Sequence, residues 1–135
     1  MRVFLDANIL FSASHARSRM RAFLDLLFER AECLTNDYAI KEARRNLELK
    51  IPSALPGLDP LIMKCELIPT LVTEVGVALK AKDIPILGGA IAGNATHLLT
   101  GDERDFGLFL GKTIRGVRVV SPRMLADEMA RQGLA

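Results

Sequence analysis

The sequence has no tryptophan and only one tyrosine in 135 residues. That argues against a broad platform for stacking single-stranded bases, and phosphate contacts should dominate any nucleic-acid binding. Cysteine is also scarce. Cys33 and Cys65 are far apart, lack CxxC spacing and have no histidine nearby, so they make no zinc site. They read as reduced, mostly buried thiols of a cytoplasmic protein. The two histidines, His15 and His97, do not suggest catalysis. His97 opens an apolar run as a partly buried structural residue. Charge is nearly balanced, with 18 basic and 16 acidic side chains and a formal net charge of +2, too small to name a partner. There is no internal repeat and no low-complexity linker. No signal peptide is expected, because the first apolar run contains Asp6 and Asn8. The stretch from Ile84 to Gly101 has no charged residue and approaches bilayer-crossing length. Pro85, Gly88, Gly89, Gly93, Asn94 and His97 interrupt it, so a buried helix, a turn and a buried strand explain it better than a membrane span.

Half the residues are hydrophobic and a quarter are charged, a balance that suits one globular domain over residues 1–135. Arg2 to Leu5 predicts a short strand, followed by a helix from Ile9 to about His15. Ser18 to Arg30 predicts a clearer helix, in which Met20, Phe23, Leu24, Leu27 and Phe28 form one apolar stripe for the core. Glu32 to Thr35 predicts a strand, and Asn36 or Asp37 caps a helix running to about Lys50. A proline-rich loop, a short helix and a weak strand at Glu66 to Pro69 follow. Thr73 to Ala81 reads as helical, and Asp83 caps the next helix. His97 to Thr100 and Gly116 to Val120 predict two further strands, and Pro122 opens a final helix to about Arg131. The alternation of strands and helices predicts an α/β fold, a three-layer α/β/α sandwich with a mainly parallel central sheet.

That topology has a chemical consequence. Parallel strands joined by crossover helices end along one edge, where ligands of open α/β sheets bind. Asp6 directly follows the first strand, and Asp102 follows the fourth by two residues. Crossover helices start at the same edge. Asp83 begins one of them, and Glu42 lies in the first half of another, roughly 9 Å from its start at 1.5 Å per residue. Asp6, Glu42, Asp83 and Asp102 can thus converge, with Asp105 one short turn further on. Carboxylates so gathered either shift their pKa values upward or recruit a divalent cation. A donor set of oxygen alone selects hard ions, Mg²⁺ or Mn²⁺. Such ions support hydrolysis of a phosphodiester with no Ser/His/Asp set.

Three segments carrying these acids are similar to the PIN-domain nucleases, in particular the small VapC-like toxins of toxin–antitoxin pairs. They are VFLDANIL (Val3 to Leu10), YAIKEARRNL (Tyr38 to Leu47) and KDIPILGGAIAGNATHLLTGDERDF (Lys82 to Phe106). The last is the most specific, and the resemblance covers most of the chain. It implies a PIN-like fold and metal-binding roles for Asp6, Glu42, Asp83 and Asp102, with Asp105 joining them in some members. Asn8 and Thr100 match residues that orient a carboxylate or water beside the metal. The resemblance further implies Mg²⁺- or Mn²⁺-dependent endonucleolytic cleavage of RNA, a homodimer and an antitoxin that blocks the cleft. Gly88-Gly89 stands where the family more often has alanines. Two mid-helix glycines cost about 1 kcal/mol each in helix propensity, but they let another backbone approach closely. Ile51 to Ala81 matches poorly and is where substrate or partner specificity would differ.

Taken singly, each residue has a plainer reading. Asp6, Asp83, Asp102 and Asp105 each suit a cap or turn, and Glu42 can pair with Arg45 on its own helix. The basic set Arg17, Arg19, Arg21, Lys41, Arg44 and Arg45 reads equally as a phosphate-binding surface or as a solvated charged face. Three other functions stay open. One is a PIN-like domain that binds nucleic acid or protein without cutting. Another is a housekeeping RNA-processing nuclease. The third, an acid-pocket receiver domain, needs a lysine after a later strand, and Lys112 is poorly placed for that role.

Overall fold

Successive side chains of a strand point to opposite faces, yet Val3, Phe4 and Leu5 are all fully buried. Both faces of this strand, β1 (Arg2–Leu5), are therefore covered, as in a central parallel strand. The computed structural model describes residues 1–133. Around β1 it sets β2 (Glu32–Thr35), β3 (Glu66–Leu67), β4 (His97–Leu99), β5 (Thr113–Ile114) and β6 (Val117–Val120) in one sheet of order β3-β2-β1-β4-β6-β5. Every pairing is parallel except β5 with β6. The α/β sandwich and its mainly parallel sheet are as the sequence predicts.

Among the described residues, six α-helices connect and cover the strands: α1 (Ala7–Ala13), α2 (Arg19–Arg30), α3 (Asp37–Lys50), α4 (Leu58–Ile62), α5 (Ile84–Ala92) and α6 (Pro122–Arg131). Helix α1 packs on α2 and α3, α5 lies against β1, β2 and β4, and α6 against β6. Side-chain caps set several starts. The Ser18 hydroxyl accepts from the Arg21 N–H, and Asn36 accepts from the Ala39 N–H. In the stripe on α2, Leu24 and Leu27 are fully buried, and Met20, Phe23 and Phe28 pack half-buried against the core.

Two expectations need correction. Residues 73–81 form no helix. Val72, Val75, Val77 and Thr73 are β-branched, and Gly76 has φ +86°, a left-handed conformation that breaks helix. The segment's entry is fixed instead by a backbone hydrogen bond, the Val72 N–H donating to the Gly88 carbonyl at 3.0 Å. Strand β5 was not expected either. It leads into β6 through Arg115 (φ +49°) and Gly116 (φ +87°), two consecutive positive φ angles of the kind that make a tight two-residue hairpin turn.

The paired glycines of α5 have a structural reason. A Cβ on Gly88 would lie 1.9 Å from the Val72 carbonyl oxygen, and one on Gly89 would lie 2.3 Å from Asn36 Nδ2 and 3.0 Å from the Phe4 ring. The glycines thus let a neighbouring backbone dock on α5 and let α5 sit close to β1 and the start of α3. Gly88→Ala should lower stability by about 1–3 kcal/mol, despite a propensity gain of about 1 kcal/mol for alanine. Chemical denaturation read by circular dichroism checks this; an unchanged or more stable variant would contradict the close approach.

Candidate functional site

Asp6 ends β1 and caps α1. Its Oδ1 accepts from the Ala7 N–H at 2.6 Å, and its own N–H donates to the Leu99 carbonyl at 3.1 Å. Its Oδ2 accepts from the Thr100 hydroxyl at 2.8 Å. The same hydroxyl oxygen accepts from the Asp102 N–H at 3.0 Å. Thr100 is fully buried and thereby ties the end of β1 to the turn after β4. Asn8 makes a second tie, its Oδ1 accepting from the Gly101 N–H at 2.9 Å. Asp102 is shaped from its far side as well, its Oδ1 accepting from the N–H groups of Arg104 and Asp105 at 3.0 Å each.

The other two acids arrive on helices. Asn36 Nδ2 donates to the Pro85 carbonyl at 3.1 Å, which holds the starts of α3 and α5 together. Glu42, half-buried, comes from α3. Asp83 stands at the N-cap position of α5, but its side chain caps nothing. It is buried, and its Oδ2 has no hydrogen-bond partner. A buried carboxylate oxygen without a donor is an unpaid desolvation cost unless a cation or proton meets it.

Asp6, Glu42, Asp83 and Asp102 line one cleft of about 190 Å³, together with Ala7, Asn8, Phe11, Asn46, Lys50 and Lys82. Their spacing within it is uneven. Asp83, Asp102 and Asp105 offer one oxygen each, all within 4.8 Å of one another. Asp6 and Glu42 line the cleft beyond that trio. Asp105, with its side chain 4% exposed, pairs with Lys80 at 2.8 Å and Lys82 at 2.7 Å. Those two ammonium groups hold its carboxyl well below the usual carboxylate range.

The opposite holds for two neighbours. Burial pushes the Asp6 carboxyl up to about 7 against the hydrogen bonds from Thr100 and Ala7, and the charges of Asp83 and Glu42 add to the rise. Burial also pushes Asp83 up to about 6, helped by the charge of Asp105 and opposed by Lys82. Raised carboxyls in an all-oxygen cleft suit a hard divalent cation, which relieves the like-charge repulsion. The residues present fit such an ion, and the bare Asp83 oxygen is the clearest sign of it.

Among the basic residues singled out in the sequence, Arg21 pairs with Asp25, Lys41 with Asp37 and Arg44 with Asp59. Lys41 and Arg45 line a shallower recess beside Tyr38 and Glu42. Arg17 and Arg19 are exposed around the start of α2, and none of the six lines the acidic cleft. The cations that do so, Lys50 and Lys82, escaped sequence reading. Lys82 adjoins Asp83 in sequence, and Lys50 follows Glu42 by eight residues, so helical spacing alone could have singled it out. His97 stands at the opposite end of its strand, where Nε2 meets Glu128 Oε2 at 2.6 Å. His15 packs edge-on against Phe11.

The fold is a PIN-like α/β sandwich, as the sequence resemblance implied. The chain is similar to one in the crystal structure of VapBC2 from Rickettsia felis bound to a DNA fragment from their promoter, with a TM-score of 0.66 and 20% identity over 90% of this chain and 98% of that one. It is also similar to a chain of FitAcB from Neisseria gonorrhoeae, with a TM-score of 0.58 and 19% identity over the same shares. No family profile and no curated protein matches the chain. No described helix is long and apolar enough to cross a membrane.

The raised carboxyls set the sign of a pH effect. Folded Asp6 and Asp83 hold protons up to about 7 and about 6, whereas the unfolded side chains release them near 3.8. The folded state therefore binds more protons between these values, and stability falls as pH rises through that interval. Melting of the metal-free protein should shift downward from pH 4.5 to about 7.5 on this linkage. Mn²⁺ should restore the loss at the upper pH and do little at the lower, where protons occupy the site. A metal-free melting temperature that rises over this range would contradict the buried-acid geometry.

Proposed function

We propose that this chain is a Mg²⁺- or Mn²⁺-dependent endoribonuclease acting as the toxin of a toxin–antitoxin pair. The observation that carries the reading is the Asp83 oxygen, buried without a donor in a cleft whose other walls present Asp6, Glu42 and Asp102. These four acids would hold the ion. When bound, such an ion supplies Lewis-acid stabilisation of the phosphoryl oxygens and a nucleophile from water. The chain's own residues do the positioning. Thr100 fixes Asp6 and the Asp102 turn in one arrangement, and Asn8 holds that turn against α1. Asp105 is drawn off by Lys80 and Lys82, so it steadies the loop before α5 as well as offering an oxygen to the trio. Lys82 also offsets negative charge where an anionic substrate would enter.

RNA is the proposed substrate on the strength of the sequence resemblance. A protein antitoxin covering the cleft, a homodimer and a cytoplasmic setting belong to the same reading. The likeness to chains of VapBC2 and FitAcB supports the antitoxin partner.

Asp6→Asn separates catalysis from folding. The amide keeps the side chain's size and its one oxygen can accept from Thr100 or from the Ala7 N–H but not both, while the buried charge disappears. Cleavage of single-stranded RNA should fall by more than the roughly 10–100-fold that loss of an outer-shell partner costs at a metal site. Metal-free melting at neutral pH should change little, since the removed buried charge offsets the one lost acceptor. Activity retained in the purified variant, or insensitive to EDTA, would remove the metal assignment. A wild type that takes up no Mn²⁺ would favour a PIN-like domain that binds without cutting.

A further inference from the structure

The cleft does not end at the acids. Glu42, Asn46 and Lys50 lie at i, i+4 and i+8 on α3, so they form one stripe along that helix, and all three line the cleft. Across the seam, α1 contributes Asn8 and Phe11. The Lys50 ammonium sits 5.8 Å from the Phe11 ring centroid, which steadies a long side chain that would otherwise sample many rotamers. Eight residues of helix separate the Lys50 and Glu42 backbones by about 12 Å, and helical side chains lean toward the N-terminus, so the ammonium reaches back toward the acids. The neighbouring cations Lys41, Arg44, Lys80 and Lys82 are paired with carboxylates. Lys50 has no such partner among the described residues. A lysine in the last turn of a helix also suits the helix dipole, but that does not account for its place on the cleft wall with Asn46 between it and Glu42.

From this arrangement we infer that the seam between α1 and α3 is the subsite for the nucleotide beside the scissile phosphate. Lys50 holds that nucleotide's phosphate, and the Asn46 amide hydrogen-bonds its base or sugar. The inference rests on the nuclease reading for the position of the cut. It explains how a chain with so few aromatic residues can still grip a single strand, through one ammonium and one amide set in line with the acids. The strand would then be met at the scissile phosphate by the acid-bound cation and at the neighbouring phosphate by Lys50.

Lys50→Met tests this, because methionine keeps the packing on Phe11 and loses the charge. Lys64 supplies a matched control, since its ammonium stands 5.5 Å from the Phe28 ring but lies outside the cleft. Both substitutions are made in an Asp6→Asn background, and binding of a fluorescent mixed-sequence single-stranded RNA is followed by anisotropy with Mn²⁺ present. Lys50→Met should weaken binding about tenfold and reduce the slope of log K against log salt by about 0.7, the share of one phosphate contact on a single strand. Asn46→Ala should weaken it about threefold with the slope unchanged. Lys64→Met should change neither quantity. Mn²⁺ affinity, measured by calorimetry in the otherwise wild-type protein, should be no weaker with Lys50→Met than without it. Unchanged RNA affinity and slope in Lys50→Met would overturn the inference, as would an equal loss in Lys64→Met. RNA binding that depends on Lys50 in a chain that proves unable to cut would support the subsite while removing the proposed activity, so the two readings fail separately.

Discussion

Carboxylates repel one another, and this chain gathers them at one end of a buried parallel sheet. The rest of the rim is organised around that repulsion. Asp6 is held by a hydroxyl and a backbone N–H, and Asp102 by two backbone N–H groups. Asp105 is held by two ammonium groups. Asp83, among these rim acids, keeps a buried oxygen with no donor among the described residues. Burial raises the carboxyls of Asp6 and Asp83, and the charges of neighbouring acids add to the rise. A folded protein that retains such a residue of unfavourable charge is poised for a ligand of opposite sign.

Thr100 does more here than its size suggests. It sits between two neighbouring strand ends, donating to one acid and accepting from the backbone of another. Because β1 and β4 are in register, with Leu5 opposite Leu99, the first residues beyond each strand come out side by side. Asp6 and Thr100 are those residues. Sheet register therefore fixes Asp6 and Thr100, and the turn after β4 carries Asp102 and Asp105 from that anchor. Rigid strands support precise ligand geometry better than loops do.

Much of this was legible in the sequence, for a physical reason. Parallel topology sends strand ends and helix starts to one edge, so Asp6, Asp83 and Asp102 could be brought to the rim from element order alone. Glu42 needed only the rise of a helix. What lay beyond reach depended on contacts between distant segments. Residues 73–81 have a composition that a short helix tolerates, and only the docking of Val72 on Gly88 sets their path. Asp83 reads as an ordinary cap, and nothing local reveals that its side chain is left free of capping. The lysines that neutralise Asp105 come from a loop more than twenty residues away in sequence, a pairing with no periodic signature. Strand β5 is two residues long, too short for alternation to register, although Arg115-Gly116 marks the turn that makes it.

The central claim is that the acids act together as a chelating site. Its most direct test is a crystal grown with Mn²⁺ and measured for anomalous scattering. The account predicts one strong peak in the cleft, roughly 2 Å from oxygens of Asp83 and Asp102, the distance of a hard ion from its ligands, with Asp6 and Glu42 turned toward it directly or through water. A cleft without a peak at saturating Mn²⁺, or a peak bound elsewhere while these four side chains face apart, would contradict it.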